Sequence, residues 1–390
     1  MNNRISLYCN WNVYIDCDGK LWLPSVHAQY LKALKNIGFS EIYLASKISK
    51  VRQEEHDFSF LSNEITIIPI PYFTNYTHSV FKLPSIIKAF LTLARKKTNH
   101  CYIRTYEPFI WILVLIQRVL SKKTLLCMHY ISDPKSAIFS NANSTPISKY
   151  LRYITFLPEY YLTNIASIFC RLSSNGPVPI KNTPFFVKRR INKVIESALL
   201  ESDIIIENET NSSIINNNIE NKKISILYVG YIRPSKGIDV LIDAVNLLVK
   251  DNITNFKVTI IGNGDYYNKV SSIINTYNLT EYFEFTGYIP FSEKLFSYYK
   301  NSDIFINLSP SETGPRVLLE AGIFGCKLIS TDVGYARDII GSDGIIIKIN
   351  NSLEAKEAIK NLIYNISPSP SNNSRLLEYT TENFFKKILY

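Results

Sequence analysis

Two glutamates eight residues apart, Glu312 and Glu320, have a type and spacing that suit the binding of one extended ligand with several hydroxyl groups. Glu312 lies in a loop after an apolar run, and Glu320 lies in the helical pattern that follows. Eight helical residues rise by roughly 12 Å. Carboxylates so far apart do not share a proton, but each is able to hold a different hydroxyl pair. A glycoside hydrolase is disfavoured, because its two carboxylates face one bond at less than about 10 Å.

The loop between the two glutamates has the features of an anion site. An apolar run at 303–308 predicts a strand, Pro315 suits the first turn of a helix, and Gly325 suits its left-handed end. The N–H groups at a helix start carry partial positive charge and favour a phosphate, here beside Gly314 and Arg316. A surface loop with a solvated helix is the alternative interpretation.

Two further loops after predicted strands carry residues suited to a phosphate. The segment YIRPSKG follows a strand at 225–230 and contributes Arg233 and Lys236. A G-x-G pattern follows the strand at 257–261, and its first glycine, Gly262, permits close approach of a ligand to the backbone. An exposed basic turn is the alternative interpretation of the first loop.

The elements that must position these loops follow an α/β pattern. Six strands alternate with helices in the second half, which indicates a parallel, doubly wound sheet. Strands of the first half are predicted at 4–9, 41–46, 65–70, 100–105, 124–128 and 203–206. His129 directly follows the fifth of these strands, and ligands of open α/β sheets gather at the carboxyl ends of strands. A packed structural histidine is the alternative.

The pattern E-x(7)-E, followed by an alanine-containing helix, Gly325 and a strand that runs into Thr-Asp-x-Gly, resembles the donor-site signature of the retaining glycosyltransferases of family 4. The resemblance covers residues 224–349. It implies an α/β fold of the GT-B class, in which two doubly wound Rossmann-like domains face each other across a cleft. It also implies a nucleotide-diphosphate sugar as donor substrate, with no cofactor and no metal ion.

The resemblance assigns roles to single residues. His129 and Glu312 would face the donor sugar as catalytic residues, and Glu320 would hold the ribose hydroxyl groups. The other donor-binding positions that it implies are Gly19, Arg233, Lys236, Gly262, Tyr288, Gly314 and Arg316. The chain departs from the family pattern at Tyr231, where relatives carry arginine, and at Pro315, where they usually carry glycine.

Domain boundaries are predicted from the asparagine-rich segment near the middle of the chain. It marks a linker at 207–223 between an acceptor-side Rossmann-like domain at 1–206 and a nucleotide-sugar-binding Rossmann-like domain at 224–372. In this fold a last helix typically crosses back to the first domain, and residues 373–390 are predicted to form it.

The net charge of +10 is concentrated in the first half. Residues 1–200 hold 25 basic and 11 acidic residues, a net charge of +14. No nucleic-acid-binding motif is visible, and the same half is rich in aromatic and aliphatic residues, so an anionic membrane surface is the expected partner. The basic, amphipathic stretch 81–97 is the first candidate for contact with it, and a solvated face of a domain helix is the alternative.

The sequence favours a cytoplasmic protein, peripheral at the inner face of the cell membrane. Its six cysteines form no C-x-x-C pair and read as reduced residues. The start shows no signal-peptide pattern. The most apolar run, 109–116, is far shorter than the roughly 20 residues of a spanning helix.

The function expected from these observations is retaining transfer of a sugar from a nucleotide-diphosphate donor to a hydroxyl of a glycan or lipid-linked acceptor, in surface polysaccharide or lipopolysaccharide synthesis. Asp16 and Asp18 form a D-x-D pair of the kind that binds a divalent metal in another glycosyltransferase fold. This pair lies too early in the chain, and no metal site is predicted. The alternatives are a binding or partner subunit with a degraded donor site, and a sugar-nucleotide epimerase of the same fold.

Overall fold

A computed structural model of the protein describes residues 3–61, 63–140, 145–204, 223–342, 344–365 and 374–390. The chain forms two compact units, one of Met1–Ala198 with Thr381–Tyr390 and the other of Leu199–Thr380. The predicted linker at 207–223 lies almost entirely outside the described residues. The last helix belongs to the first unit, although the whole second unit precedes it in sequence.

The first unit is built on a parallel sheet of seven strands in the order β10-β9-β8-β7-β1-β4-β6. These strands are β1 (Arg4–Tyr8), β4 (Glu41–Lys47), β6 (Thr66–Ile70), β7 (His100–Thr105), β8 (Leu125–Tyr130), β9 (Arg171–Asn175) and β10 (Ile191–Val194). A small antiparallel sheet is formed by β2 (Tyr14–Ile15), β3 (Leu21–Leu23) and β5 (Phe58–Phe60). The predicted strand at 203–206 is wrong where it is described, because residues 203 and 204 are helical.

Helices cover the large sheet of the first unit. They are α1 (Ser25–Asn36), α2 (Tyr76–Val80), α3 (Leu83–Arg95), α4 (Ile110–Leu120), α5 (Pro134–Ser140), α6 (Pro146–Ala166), α7 (Phe185–Lys188) and, from the end of the chain, α14 (Thr381–Leu389). Strands β7 and β8 are buried at nearly every position, which is expected of a sheet covered on both faces.

Helix α3 falls within the basic stretch that the sequence offered as a membrane contact. Its apolar residues Ile86, Phe90 and Leu93 are fully buried in the core of the first unit. Lys88 and Arg95 lie on the opposite, solvent-exposed side. The structure therefore supports the alternative, a domain helix with a solvated basic face.

The second unit is built on a parallel sheet of six strands in the order β13-β12-β11-β14-β15-β16. The strands are β11 (Ile224–Val229), β12 (Phe256–Ile261), β13 (Phe283–Gly287), β14 (Ile304–Asn307), β15 (Lys327–Thr331) and β16 (Ile345–Ile347). The helices are α8 (Ile238–Lys250), α9 (Tyr267–Thr276), α10 (Glu293–Lys300), α11 (Arg316–Ile323), α12 (Ala336–Ile340) and α13 (Ser352–Asn365). All six predicted strands are present, and the prediction of two doubly wound α/β sheets is confirmed.

Each sheet has one point at which the order of its strands reverses. In the first unit this point lies between β1 and β7, and in the second it lies between β11 and β14. Ligands of open α/β sheets bind in the crevice outside the carboxyl ends of the strands at such a point. Among the described residues, no helix has the length and apolar character that crossing a membrane requires.

Candidate functional site

The reversal point of the second unit brings two predicted site loops together. One loop follows β11 and contains Lys236, and the other follows β14 and contains Glu312. β11 and β14 are hydrogen-bonded neighbours, with Ile226 opposite Ile304 and Leu227 opposite Phe305. The loops therefore emerge side by side at the carboxyl edge of the sheet, where the topology predicts a ligand.

Lys236 and Glu312 form an ion pair across these two loops. The Lys236 Nζ donates to Glu312 Oε1, and the two side chains are 21% and 17% exposed. The Ser309 hydroxyl lies 3.0 Å from the same carboxylate oxygen. A cation and a carboxylate thus stand together at an accessible position, where they can contact the two ends of a phosphate-bearing sugar.

A buried hydrogen-bond network fixes the loop that carries Glu312. Thr331 donates its hydroxyl to the Ser309 carbonyl at 2.5 Å, and Asn307 Nδ2 donates to Ser330 Oγ at 3.2 Å. All four of these residues are buried. Sequence reasoning missed this network, because its members come from two strands, β14 and β15, that only the sheet topology makes adjacent.

The glycines of these loops are required by close backbone packing. Gly237 has a φ of +69°, and a Cβ there would stand 2.0 Å from the Leu308 carbonyl oxygen. Gly262 has a φ of +138°, and a Cβ there would stand 2.0 Å from the Gly230 carbonyl oxygen. Close packing against Gly230 is therefore sufficient to explain the glycine at 262. The contact with the donor that the sequence predicts is a second, separate explanation.

Helix α11 begins directly after the Glu312 loop. Pro315 precedes its first residue, Arg316, whose N–H donates to the Gly314 carbonyl at 3.0 Å. A Cβ on Gly314 would stand 2.1 Å from the Tyr335 ring. Pro315 contributes no N–H, so the helix start offers fewer donors to an anion than a glycine at that position would.

Glu320 lies inside the second unit, on α11. Its side chain is buried, and the Tyr299 hydroxyl donates to its Oε2 at 2.8 Å. Burial raises the pKa of Glu320, an effect that the positive charge of Arg316 and the hydrogen bond from Tyr299 partly offset. The structure thus gives this carboxylate an internal partner, and its predicted contact with a ribose stays a prediction.

The two remaining donor positions of the second unit, Arg233 and Tyr288, are both exposed. Arg233 lies three residues before Lys236, and its backbone carbonyl accepts a hydrogen bond from the backbone N–H of Lys236 at 3.0 Å. Tyr288 follows β13, two strands from the reversal point, and lies at the same edge of the sheet. Both positions are compatible with contact to a ligand there.

In the first unit, the predicted catalytic residue His129 is fully buried within β8. Its Nδ1 lies 2.9 Å from Ser173 Oγ, and its ring packs against Tyr102 and Phe384. Burial lowers the pKa of His129 to about 4, so the imidazole is neutral at pH 7. Within the described residues, Nε2 has no hydrogen-bond partner. These contacts support a packing role, and the catalytic role stays a prediction.

Gly19 is placed in the hairpin turn between β2 and β3, away from the large sheet. Its φ is +77°, and its N–H donates to the Asp16 carbonyl at 3.1 Å. Asp16 Oδ2 accepts from Trp22 Nε1 at 2.8 Å, and this hydrogen bond lowers the pKa of Asp16. The turn geometry accounts for the glycine and for the first aspartate of the D-x-D pair.

Asn10 and Glu107 meet at the reversal point of the first unit, and sequence reasoning missed both. They follow the neighbouring strands β1 and β7, and the Asn10 N–H donates to Glu107 Oε1 at 3.1 Å. The Asn10 side-chain amide donates to the other carboxylate oxygen. Burial raises the pKa of Glu107. Each of the two residues follows a predicted strand, and that position could have indicated the pair.

A cavity of about 560 Å³ lies at the same edge of the first unit. Its wall includes Tyr76, Tyr106, Ser132, Arg152 and Phe156. Tyr106 is the first residue after β7 and Ser132 the second after β8, so the cavity lies outside the carboxyl ends of these strands. A cavity of this size with aromatic walls and one guanidinium suits an amphipathic ligand with a polar or anionic group.

The described residues contain no group of three or more histidine, cysteine, aspartate or glutamate side chains that is arranged to hold a metal ion. Asp16 and Asp18, which both lie in the described range, belong to no such group.

The second unit matches a known family of sequences. Residues 210–376 match the sequence model of the family described as Glycosyl transferases group 1. An uncharacterized glycosyltransferase of Methanocaldococcus jannaschii is 32% identical over 181 residues, which is 46% of this chain and 49% of that protein. The chain therefore matches about half the length of this curated relative.

Solved structures of similar fold cover the whole chain. The lipopolysaccharide outer core galactosyltransferase WaaB has a TM-score of 0.65 at 13% identity, over 99% of both chains. Anabaena Alr3699/HepE, solved in complex with UDP and glucose, has a TM-score of 0.63 at 13% identity, over 99% of this chain and 98% of that one. These likenesses show the fold, which is GT-B with two Rossmann-like domains.

Proposed function

We propose that this chain is a retaining glycosyltransferase that moves a sugar from a nucleotide-diphosphate donor to a hydroxyl of a glycan or lipid-linked acceptor. The observation that carries the proposal is the pair Lys236 and Glu312 at the reversal point of the second unit. This pair lies within the segment that matches the group 1 glycosyl transferases. WaaB, a lipopolysaccharide galactosyltransferase of similar fold, supports a role in surface polysaccharide or lipopolysaccharide synthesis.

The leaving diphosphate gains negative charge as its bond to the sugar breaks and the acceptor oxygen bonds to the sugar. Lys236 stands where its ammonium can stabilise that charge, with Arg233 and Arg316 on the flanking segments. Fixed cations act most strongly on charge that develops in the transition state. These cations would serve in place of a divalent metal, so the proposed activity needs no metal and no cofactor.

Glu312 would orient the donor sugar through its hydroxyl groups. Its carboxylate is held by Ser309 and by Lys236, so it is positioned before a ligand arrives. Positioning of this kind lowers the entropic part of the barrier. Glu320 would hold the ribose, which requires that its carboxylate exchange or share the hydrogen bond from Tyr299.

The acceptor would bind in the first unit, in the cavity beside Tyr106 and Arg152. The aromatic side chains would stack on a sugar ring or an apolar group, and the guanidinium would bind a phosphate or carboxylate. A cytoplasmic location, with peripheral attachment to the inner face of the membrane, is part of the proposal.

The first test is a thermal-shift screen of UDP, GDP, ADP, dTDP and CMP. A nucleotide that binds the folded protein raises its Tm, and the increase grows with the ratio of the free nucleotide concentration to Kd. Nucleotide sugars of the base so identified are then incubated with lipid-linked and glycan acceptors, with and without EDTA, and the anomeric configuration of the product is read by NMR.

Transfer with retention that persists in EDTA is expected. Inversion, or loss of activity on chelation that Mn²⁺ restores, would contradict the proposed mechanism. Turnover of the nucleotide sugar without an acceptor would identify an epimerase. Absence of binding by all the nucleotides would favour a partner subunit, a possibility that Pro315 at the start of α11 raises.

A further inference from the structure

Helix α6 buries three polar residues on the side that faces the protein. Glu159, Thr163 and Asn164 are buried. The Glu159 carboxylate accepts hydrogen bonds from Trp111 Nε1 at 3.1 Å and from Thr163 Oγ1 at 3.2 Å, and Asn164 Oδ1 accepts from the Tyr130 hydroxyl at 3.1 Å. A surface helix of a soluble domain has the reverse arrangement, with apolar residues toward the core. In α6, by contrast, large apolar residues such as Ile154 and Ile165 are exposed.

The outer side of α6 carries a stripe of large apolar residues that recur at about one or two helical turns. The stripe, here called the α6 face, consists of Ile147, Leu151, Ile154, Tyr161, Leu162 and Ile165 and continues past the helix end with Ile168 and Phe169. Their exposed fractions run from 39% at Leu162 to 74% at Ile147. The helix has 21 residues, which corresponds to about 31 Å. An exposed apolar surface of this extent marks an interaction site.

The charged residues of the segment that contains α6 are almost all basic. Residues 134–195 contain nine basic residues and a single acidic residue, the buried Glu159. Arg152 lies on the helix itself, and Lys188 and Arg189 follow on the neighbouring segment, where Phe185 is 71% exposed. Apolar residues flanked by cations are the pattern of a helix that lies in the interface of an anionic membrane.

We propose that the α6 face docks on a bilayer surface that contains anionic phospholipids. The apolar side chains would enter the boundary between headgroups and acyl chains, and the surrounding cations would bind the phosphates. A second copy of the chain is a poorer occupant, because a two-fold contact through the same face would bring the positive flanks of both copies together.

The docking site also bears on the acceptor. Arg152, Thr155 and Phe156 of α6 line the 560 Å³ cavity of the first unit. A docked α6 would hold this cavity at the level of the headgroups, where the phosphate and sugar of a lipid-linked acceptor lie. The acceptor step rests on the proposed sugar transfer. The docking identifies a surface for the peripheral attachment proposed above, and it is measured without donor or acceptor.

The test is flotation of the full chain with two kinds of vesicle, phosphatidylcholine alone and phosphatidylcholine with 30% phosphatidylglycerol. The test variant is Leu151→Ser with Ile154→Ser, whose wild-type side chains are 59% and 53% exposed. The matched control is Val51→Ser with Leu61→Ser, which removes side chains that are 69% and 55% exposed elsewhere in the same unit. A charge variant, Arg152→Gln with Arg189→Gln, completes the set, and circular dichroism and Tm confirm that each variant is folded.

We expect the wild type and the control to float with anionic vesicles at low salt and to bind less at high salt. The test variant should lose at least tenfold in partition coefficient, and the charge variant should lose binding to anionic vesicles only. The proposal is overturned if the wild type does not float. It is also overturned if the test variant binds vesicles as well as the control does. A third contrary result would be a wild-type dimer that does not bind vesicles, together with a monomeric test variant.

Discussion

The ammonium of Lys236 and the carboxylate of Glu312, 76 residues apart in sequence, form an ion pair where the loops after β11 and β14 meet. Both side chains are mostly buried, so the cost of removing the two charges from water offsets much of their attraction. Its contribution to stability is therefore small. Its position at the reversal point of the sheet gives it a place in ligand binding.

The first prediction concerns Glu312→Gln. Removing this carboxylate leaves Lys236 without its negative neighbour, so a nucleoside diphosphate should bind equally well or up to about tenfold more tightly. Turnover with the complete nucleotide sugar should fall by about a hundredfold or more, because the sugar is no longer oriented. Calorimetry and initial rates measure the two effects. Glu284→Gln, an exposed position on β13, is the control and should change neither. Weaker binding of the diphosphate together with normal turnover would remove Glu312 from the site.

The second prediction concerns Glu320→Gln. Burial raises the pKa of Glu320, so the charged form costs stability in the folded state. The protonated form is favoured at low pH, and stability is lost as the pH rises through the folded pKa. At pH 7 the glutamine variant should therefore have a higher Tm than the wild type, and the difference should shrink toward pH 4.5. In this variant the Tyr299 hydroxyl can still donate its hydrogen bond, to the amide oxygen of the glutamine.

The same variant tests the predicted ribose contact. Loss of a charge-assisted hydrogen bond costs about 1.5–3 kcal/mol, which is about 10- to 150-fold in nucleotide affinity. Glu281→Gln, an exposed change in the same unit, serves as the control. A more stable Glu320→Gln protein with unchanged nucleotide affinity would assign Glu320 to the core alone.

The third prediction concerns the pH dependence of His129. Burial lowers the pKa of His129 to about 4 from its usual 6.5, so the unfolded chain binds a proton more readily. The wild type should lose stability as the pH falls from about 6.5 to about 4, by an amount on the order of 3 kcal/mol. His129→Gln should flatten this part of the profile of unfolding free energy against pH. The control is His78→Gln, on α2, which should lose as much stability at low pH as the wild type does. Identical profiles of unfolding free energy against pH for the two variants would contradict this prediction for His129.

The fourth prediction concerns the glycine between the Lys236 turn and helix α8. Gly237→Ala places a Cβ 2.0 Å from the Leu308 carbonyl oxygen at a φ of +69°. It should destabilise the protein by about 3 kcal/mol or more, since strain at this φ alone costs about 1–2 kcal/mol. Gly325→Ala is the matched control, because its φ is +92° and no atom lies within 4 Å of its Cβ. Equal losses in urea unfolding for the two variants would show that the clash at Gly237 is relieved without cost.

The second unit was predictable because its local patterns agree with its fold. Apolar runs mark its strands, and stops such as Gly325 mark the ends of its helices. The contact between Lys236 and Glu312 was not predictable from spacing. It depends on β14 lying beside β11, although β12 and β13 intervene in sequence. The sequence offered the two residues as separate site residues, and the sheet order brings them together.

The region from 133 to 200 resisted prediction for a physical reason. Helix α6 buries Glu159 and Asn164 and exposes Ile154 and Ile165, so hydrophobicity does not point to its inner side. Helix α3 also has an amphipathic, basic sequence, which suggested a membrane contact. In the structure its apolar side faces the core. Only the burial of each side chain distinguishes the two helices.

The most direct test of the central claim is calorimetric titration with the nucleoside diphosphate selected by the thermal-shift screen. The wild type is compared with Lys236→Met and with the control Lys250→Met at the far end of α8. The account predicts binding by the wild type and the control, with an affinity about 10- to 150-fold weaker for Lys236→Met. Equal affinity of all three proteins, with Lys236→Met folded, would contradict the donor site described for the second unit.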